Sequence, residues 1–204
     1  MNLLILGLVL FLGIHSARVF ADGMRSGFIS RFGPMAWKGL YSVLSLLGFV
    51  LLVQGYAAAR LDPVVLWAPP IGLRHVASLL TLLAFVLLAA AYVPGNALKA
   101  RLGHPMTLAV KVWALAHLLS NGNLADVLLF GGFLLWAVLV FRAARARDRT
   151  AAAAPAAPDT EPVTAPATRP ASTLLTVVLG VAAWAAFAFW AHAALIGVRP
   201  FGGA

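Results

Sequence analysis

The chain has no cysteine among its 204 residues and very few charged residues. Without cysteine there can be no disulfide bonds, thiolate metal sites, iron–sulfur clusters or cysteine nucleophile. Aspartate, glutamate, lysine and arginine make up only 10% of the sequence, whereas a soluble domain contains about 25%. This shortage of charge excludes an ordinary soluble globular domain.

The chain is instead strongly apolar, with 62% hydrophobic residues. A membrane-spanning helix needs roughly 20 mainly apolar residues. Six runs approach or reach that length, and they predict an all-α polytopic membrane helical bundle with about six transmembrane helices. The runs are Asn2–Phe20, Leu40–Ala59, Leu73–Val93, Met106–Leu119, Leu124–Phe141 and Leu174–Ile196.

The first apolar run resembles a signal peptide only in its position. A signal peptide carries positive charge before its apolar stretch and a small-residue cleavage site after it. Here the nearest basic residues, Arg18, Arg25 and Arg31, follow the run. We therefore expect a retained transmembrane anchor.

Prolines divide the chain towards its C-terminal end. Residues 146–172 are rich in alanine, proline and threonine, and proline disfavours a helix interior. This composition predicts an extended cytoplasmic linker. It separates a membrane domain of five spans, residues 1–145, from a terminal transmembrane helix and short tail, residues 173–204.

The basic residues are distributed unequally between the two sides of the predicted bundle. Loops and flanks after spans one, three and five hold eleven lysines and arginines, whereas the opposite side holds three, Arg60, Arg74 and Arg199. By the positive-inside rule, the odd-numbered loops face the cytoplasm and both termini face the periplasm. The net charge of +9 thus sets topology, and we expect the lipid bilayer, rather than nucleic acid, as the partner.

Histidines supply most of the polar groups expected at membrane depth, where such groups are functional candidates. His15 lies in span one and His117 in span four, while His104 precedes Pro105 at the start of span four. Imidazoles from different helices can ligate haem iron in a bundle core. The alternative is that these side chains only bond neighbouring helices, and the sequence does not decide which histidine pair would share a ligand.

Lys111 lies between His104 and His117 on the fourth run. Its ammonium group could pair with a haem propionate or a substrate carboxylate, or it could extend to the membrane surface. Asn121 and Asn123 are expected in a turn, and Asp126 is expected to cap span five.

Several short motifs in order resemble the NnrU family of bacterial integral membrane proteins. They include Gly13–Ser16, Trp37–Ser42, Tyr92–Gly95, Gly103–Met106 and Trp113–Gly122. The resemblance covers about residues 1–145 and implies an inner-membrane protein linked to denitrification and nitrogen-oxide metabolism, with a respiratory or nitrogen-oxide reductase as partner.

The chain is similar, more distantly, to the plastid zeta-carotene isomerase, which carries the same domain. That resemblance implies haem b as a cofactor, with His15 and His117 as iron ligands and His104 matching a further histidine. It also implies a haem-dependent isomerase-like or redox-responsive activity, while catalytic residues stay unknown. The alternative is a non-catalytic accessory or assembly protein whose histidines only pack helices.

Overall fold

The computed structural model describes residues 1–153 and 167–201, and these residues form an almost entirely helical protein. This confirms the predicted all-α fold. The helices are α1 (Asn2–His15), α2 (Ala17–Phe20), α3 (Asp22–Ala59), α4 (Gly72–Tyr92), α5 (Ala97–Leu102), α6 (Pro105–Ser120), α7 (Leu124–Ala153), α8 (Pro170–Ala186) and α9 (His192–Ile196).

Length and composition separate the helices that can cross a bilayer from those that are short for it. Among the described residues, four helical segments are long and apolar enough to span: α3, α4, α7 and the continuous stretch Pro170–Ile196. Helices α1 and α6 are shorter apolar helices. They correspond to the predicted first and fourth spans.

The first helix ends earlier than the apolar run predicts. Helix α1 stops at His15, and the Ser16 hydroxyl donates to the Leu12 carbonyl oxygen at 2.6 Å. Such a bond back to the preceding turn competes with regular helix geometry. A second break follows at Ala21, which has φ −138°. The expected continuous span to Phe20 is therefore wrong.

Helix α3 contains a sharp break at Gly33, which adopts φ 84° and ψ 162°. Glycine tolerates this positive φ, and the following Pro34 disfavours a helical conformation at the residue before it. Residues 22–32 thus form one helical segment, and residues 34–59 form a second that contains predicted span two.

The described chain divides into two compact units. The first comprises Met1–Pro69 and Asn121–Val140, and the second comprises Pro70–Ser120 and Phe141–Ala204. In the first unit, the backbones of α1 and α3 approach closely at glycines: a Cβ atom on Gly7 would lie 2.5 Å from the Leu52 nitrogen, and one on Gly48 would lie 2.8 Å from the Phe11 nitrogen. Small residues permit this close packing between membrane helices.

In the second unit, α4 packs against both α6 and α8. A Cβ atom on Gly180 would lie 2.5 Å from Cα of Val86, and Trp184 Nε1 donates to Thr81 Oγ1 at 3.2 Å. After α8 the chain makes a π-helical turn, Phe187–Ala191, before α9 begins.

Both ends of the predicted linker, residues 146–172, are helical in the structure. Helix α7 continues through the basic residues to Ala153, and α8 begins at Pro170. Arginine and alanine favour helix, and the first proline in this part of the sequence is Pro155. Of the remaining expected linker, residues 167–169 are not helical, and residues 154–166 lie outside the described residues.

Candidate functional site

His15 is the last residue of α1, and its ring is held in one orientation. Nδ1 donates to the Phe11 carbonyl oxygen at 2.7 Å, because a carbonyl oxygen can only accept. In the neutral ring the basic lone pair is then on Nε2. This is the arrangement of a histidine ligand whose second nitrogen is anchored by the backbone.

Aromatic rings surround His15 within the first unit. Its ring centroid lies 4.2 Å from that of Phe11, 5.1 Å from that of Tyr41 and 6.3 Å from that of Trp136. The Trp136 Nε1 atom is buried and has no hydrogen-bond partner among the described residues. The aromatic cluster thus contains one basic ring nitrogen and, on Trp136, one buried N–H donor.

His117 repeats the same local geometry in the second unit. Its Nδ1 donates to the Trp113 carbonyl oxygen at 2.9 Å, and the two ring centroids are 5.1 Å apart. The neutral ring again has its basic lone pair on Nε2. In both histidines an aromatic residue four positions earlier supplies the carbonyl acceptor and a ring contact.

His104 and Lys111 both approach Phe141 in the second unit. The His104 ring meets the Phe141 ring edge-on at 6.1 Å, and Lys111 Nζ lies 4.3 Å from the centroid of Phe141. His104 Nε2 also lies 2.8 Å from Asp148 Oδ2, and Arg145 is 3.9 Å from the same oxygen. Both predicted site residues therefore have protein partners, a hydrogen bond to Asp148 for His104 and a cation–π contact with Phe141 for Lys111.

The structure adds a buried polar network that spacing could not reveal. Asp126 is 2% exposed and accepts hydrogen bonds from the Tyr56 hydroxyl at 2.5 Å and from Asn123 Nδ2 at 3.0 Å. Its contact with the Asn123 backbone N–H, at 3.3 Å, confirms the expected cap of α7. The bond between Asp126 and Tyr56 joins residues 70 positions apart, and no local sequence signal predicts such a pair.

The loop before α4 is attached to the turn that precedes α7. The Leu66 and Trp67 N–H groups donate to the Gly122 carbonyl oxygen, and Leu124 N–H donates to the Val64 carbonyl oxygen. This attachment confirms the predicted turn at Asn121–Asn123 and places the loop beside the Asp126 network.

The remaining histidines have surface or packing roles in the structure. His75 is exposed, and His192 Nδ1 donates to the Val198 carbonyl oxygen at 2.7 Å. Within residues 1–153 and 167–201, no group of three or more metal-ligating side chains comes together. Haem iron needs only one or two axial imidazoles from the protein, so the absence of such a group says nothing about haem.

The fold and the histidine sites together define a polytopic α-helical membrane protein with backbone-anchored imidazoles on its apolar helices. The chain matches the NnrU protein family over residues 3–200. It therefore belongs to the NnrU family, and the match includes the last helices as well as the first 145 residues. Comparison with curated proteins and with solved structures finds no significant match.

Proposed function

We propose that this NnrU-family membrane protein binds haem b through His15 and His117. The main support for this proposal is that both rings donate from Nδ1 to the carbonyl oxygen four residues earlier. That bond fixes the tautomer and the ring orientation, as it does in established histidine ligands. In both histidines the acceptor belongs to an aromatic residue of the preceding turn, which also contacts the imidazole ring.

The surroundings of His15 support a bound polar cofactor. Phe11, Tyr41 and Trp136 provide apolar walls, and the unpartnered N–H of Trp136 offers a buried donor. A buried donor without an acceptor is unfavourable by roughly 1–3 kcal/mol. A polar group on a ligand would remove that penalty.

Lys111 is the proposed contact for an anionic edge of the cofactor. Its ammonium group lies over the Phe141 ring, and such a contact is worth about 0.5–1 kcal/mol at an exposed site. A carboxylate would be a stronger partner, because an ionic hydrogen bond contributes more than a cation–π contact does. His104, which is paired with Asp148, is proposed to position the cytoplasmic end of the second unit.

When bound, haem b would supply a redox-active iron that can open a coordination position to nitric oxide or to an alkene. The chain's own contribution is to hold two neutral imidazoles in a fixed tautomer and to exclude water with aromatic side chains. The family resemblance favours a role in denitrification or nitrogen-oxide metabolism in the bacterial inner membrane, as a redox-responsive protein beside a reductase or as an isomerase-like enzyme.

The test is the visible spectrum of detergent-purified protein from haem-replete cells. We expect a Soret band in the wild type with a low-spin, six-coordinate signature. His15→Ala and His117→Ala should each lose the band or shift it to a five-coordinate form. His192→Ala is the matched control and should leave the spectrum unchanged. A wild type without a Soret band, or one unaffected by both substitutions, contradicts the proposal.

A second function is favoured by the partners of His104 and Lys111. These side chains are already engaged with Asp148 and Phe141, as expected of a non-catalytic accessory or assembly protein whose polar groups hold helices together. This candidate requires that His15→Ala and His117→Ala lower the melting temperature without any spectral change. Co-purification with an oxidase or reductase subunit would support it.

A further inference from the structure

We propose that an open groove in the first unit binds one anionic phospholipid, with an acyl chain along α1 and the phosphate beside Arg25. The groove has a volume of about 540 Å³ and is lined by α1, α2 and both segments of α3. This volume lies within the roughly 300–1,000 Å³ range of ligand clefts. His15 is not among the residues that line this groove, and the proposed lipid site does not depend on haem.

The shape and lining of the groove suit a hydrocarbon chain. Its wall along α1 includes Leu6, Leu10, Gly13 and Ile14. Leu6 and Ile14 are eight residues apart, so the wall rises by about 12 Å along the helix axis. Because Gly13 has no side chain and nothing lies within 4 Å of a Cβ built on it, the groove is open at that point.

The charge lies where a lipid headgroup would be. Residues 17–33 leave the apolar helix at Ser16 and end at the Gly33 break, and they contain Arg18, Arg25 and Arg31 with only one acid, Asp22. Of these arginines, Arg25 is the one that lines the groove. Such a basic segment at the end of a membrane helix attracts anionic lipid.

The geometry of Arg25 leaves donors for a phosphate. Its Nη1 is 3.0 Å from Asp22 Oδ1, and its side chain is only 30% exposed. A guanidinium has five N–H donors in a planar fork that matches phosphate oxygens. The contact with Asp22 uses Nη1, and we propose that N–H groups on Nε and Nη2 bind the phosphate.

Aromatic side chains keep the mouth of the groove in shape. The Phe28 ring lies 5.8 Å from that of Trp37 and 4.8 Å from that of Phe32. The contact between Phe28 and Trp37 connects residues on both sides of the Gly33 break. Tryptophan at this level is typical of the membrane–water interface, which is where a phospholipid headgroup would lie.

Native mass spectrometry of the detergent-solubilised full chain, with phosphatidylglycerol or phosphatidylcholine added, tests the site. We expect the wild type to retain one phosphatidylglycerol in preference to phosphatidylcholine. Arg25→Gln should reduce that retention about tenfold, the effect of losing roughly 1.4 kcal/mol from a charged hydrogen bond. Arg31→Gln removes the same charge outside the groove, since Arg31 lies over the Phe32 ring, and should retain the lipid.

A second pair of variants tests the acyl-chain groove independently of charge. Gly13→Phe should fill the groove and abolish retention of phosphatidylglycerol. Gly39→Phe is the matched control, because nothing lies within 4 Å of a Cβ at Gly39 and this residue is outside the groove lining. Equal retention of both lipids by the wild type, or phosphatidylglycerol retention that survives both Arg25→Gln and Gly13→Phe, would overturn the proposal.

Discussion

The two units present a membrane-depth histidine in the same local way but surround it differently. His15 and His117 each bond the carbonyl oxygen of an aromatic residue four positions earlier. The His15 ring lies among Phe11, Tyr41 and Trp136, whereas the His117 ring contacts Trp113. Each unit also holds an acid that binds other residues: Asp126, 2% exposed, accepts from Tyr56 in the first unit, and Asp148, whose side chain is 49% exposed, bonds His104 in the second. The histidine tautomer is thus set by the local helix turn, whereas the burial of these acids differs between the units.

The largest expected loss of stability in the first unit comes from disrupting the close backbone packing between α1 and α3. A Cβ on Gly55 would collide with the backbone of Leu4, so Gly55→Leu must push α1 and α3 apart. We expect a loss near or above the upper end of the roughly 1–3 kcal/mol range for overpacking, read as a large fall in melting temperature in detergent.

A glycine without such a neighbour provides the control for this effect. Nothing lies within 4 Å of a Cβ at Gly131 in α7, and alanine is the better helix former by roughly 0.5–1 kcal/mol. Gly131→Ala should therefore keep or raise the melting temperature. Equal losses in Gly55→Leu and Gly131→Ala would mean that the close approach of α1 and α3 is not important for stability.

The two acids sharpen the comparison between the units. Asp126→Ala leaves the Tyr56 hydroxyl without its acceptor in a buried site, and we expect a destabilisation of about 2 kcal/mol. Asp148→Ala removes a half-exposed carboxylate from its contacts with His104 and Arg145. Exposed pairs of this kind contribute about 0–1 kcal/mol to the free energy of unfolding. In thermal unfolding followed by fluorescence, the melting temperature of Asp126→Ala should be well below that of Asp148→Ala. The reverse order would contradict this account.

The smallest expected effect concerns Lys111. Its cation–π contact with Phe141 predicts a loss of about 0.5–1 kcal/mol in Lys111→Met. Phe141→Leu should remove the same contact, so the double variant should lose less than the two single variants combined. Strict additivity in a double-mutant cycle would show that the two side chains do not interact energetically.

The sequence predicted those parts of the fold that depend on local composition. The apolar runs identified the helices, and the Asn121–Asn123 turn with its Asp126 cap was predicted correctly. The positions of close helix approach were not predicted in this way: a Cβ on Gly48 would meet the backbone of Phe11, whereas nothing lies within 4 Å of a Cβ on Gly131. Periodicity alone does not show which face of a helix meets a neighbour.

Other features depend on contacts that the sequence does not encode locally. Helix α1 ends at His15, where the Ser16 hydroxyl bonds the Leu12 carbonyl oxygen, although the apolar residues Val19 and Phe20 continue the run. Asn96, which is 1% exposed and donates to the carbonyl oxygens of Ala90 and Val93, was missed. Its position after Pro94-Gly95 was the available signal for a helix cap.

The π-helical turn at Phe187–Ala191 has a consequence for the register of the last helix. A π turn accommodates one residue more than an α turn would. Deleting a single residue from this turn would let the helix run through as α and would leave the residues that follow at almost the same angle, because the wide turn absorbs its extra residue. The same deletion from the regular part of α8 would instead rotate everything after it by about 100°. The wide turn is therefore a place where the chain tolerates a one-residue change in length without moving His192 to another side of the helix.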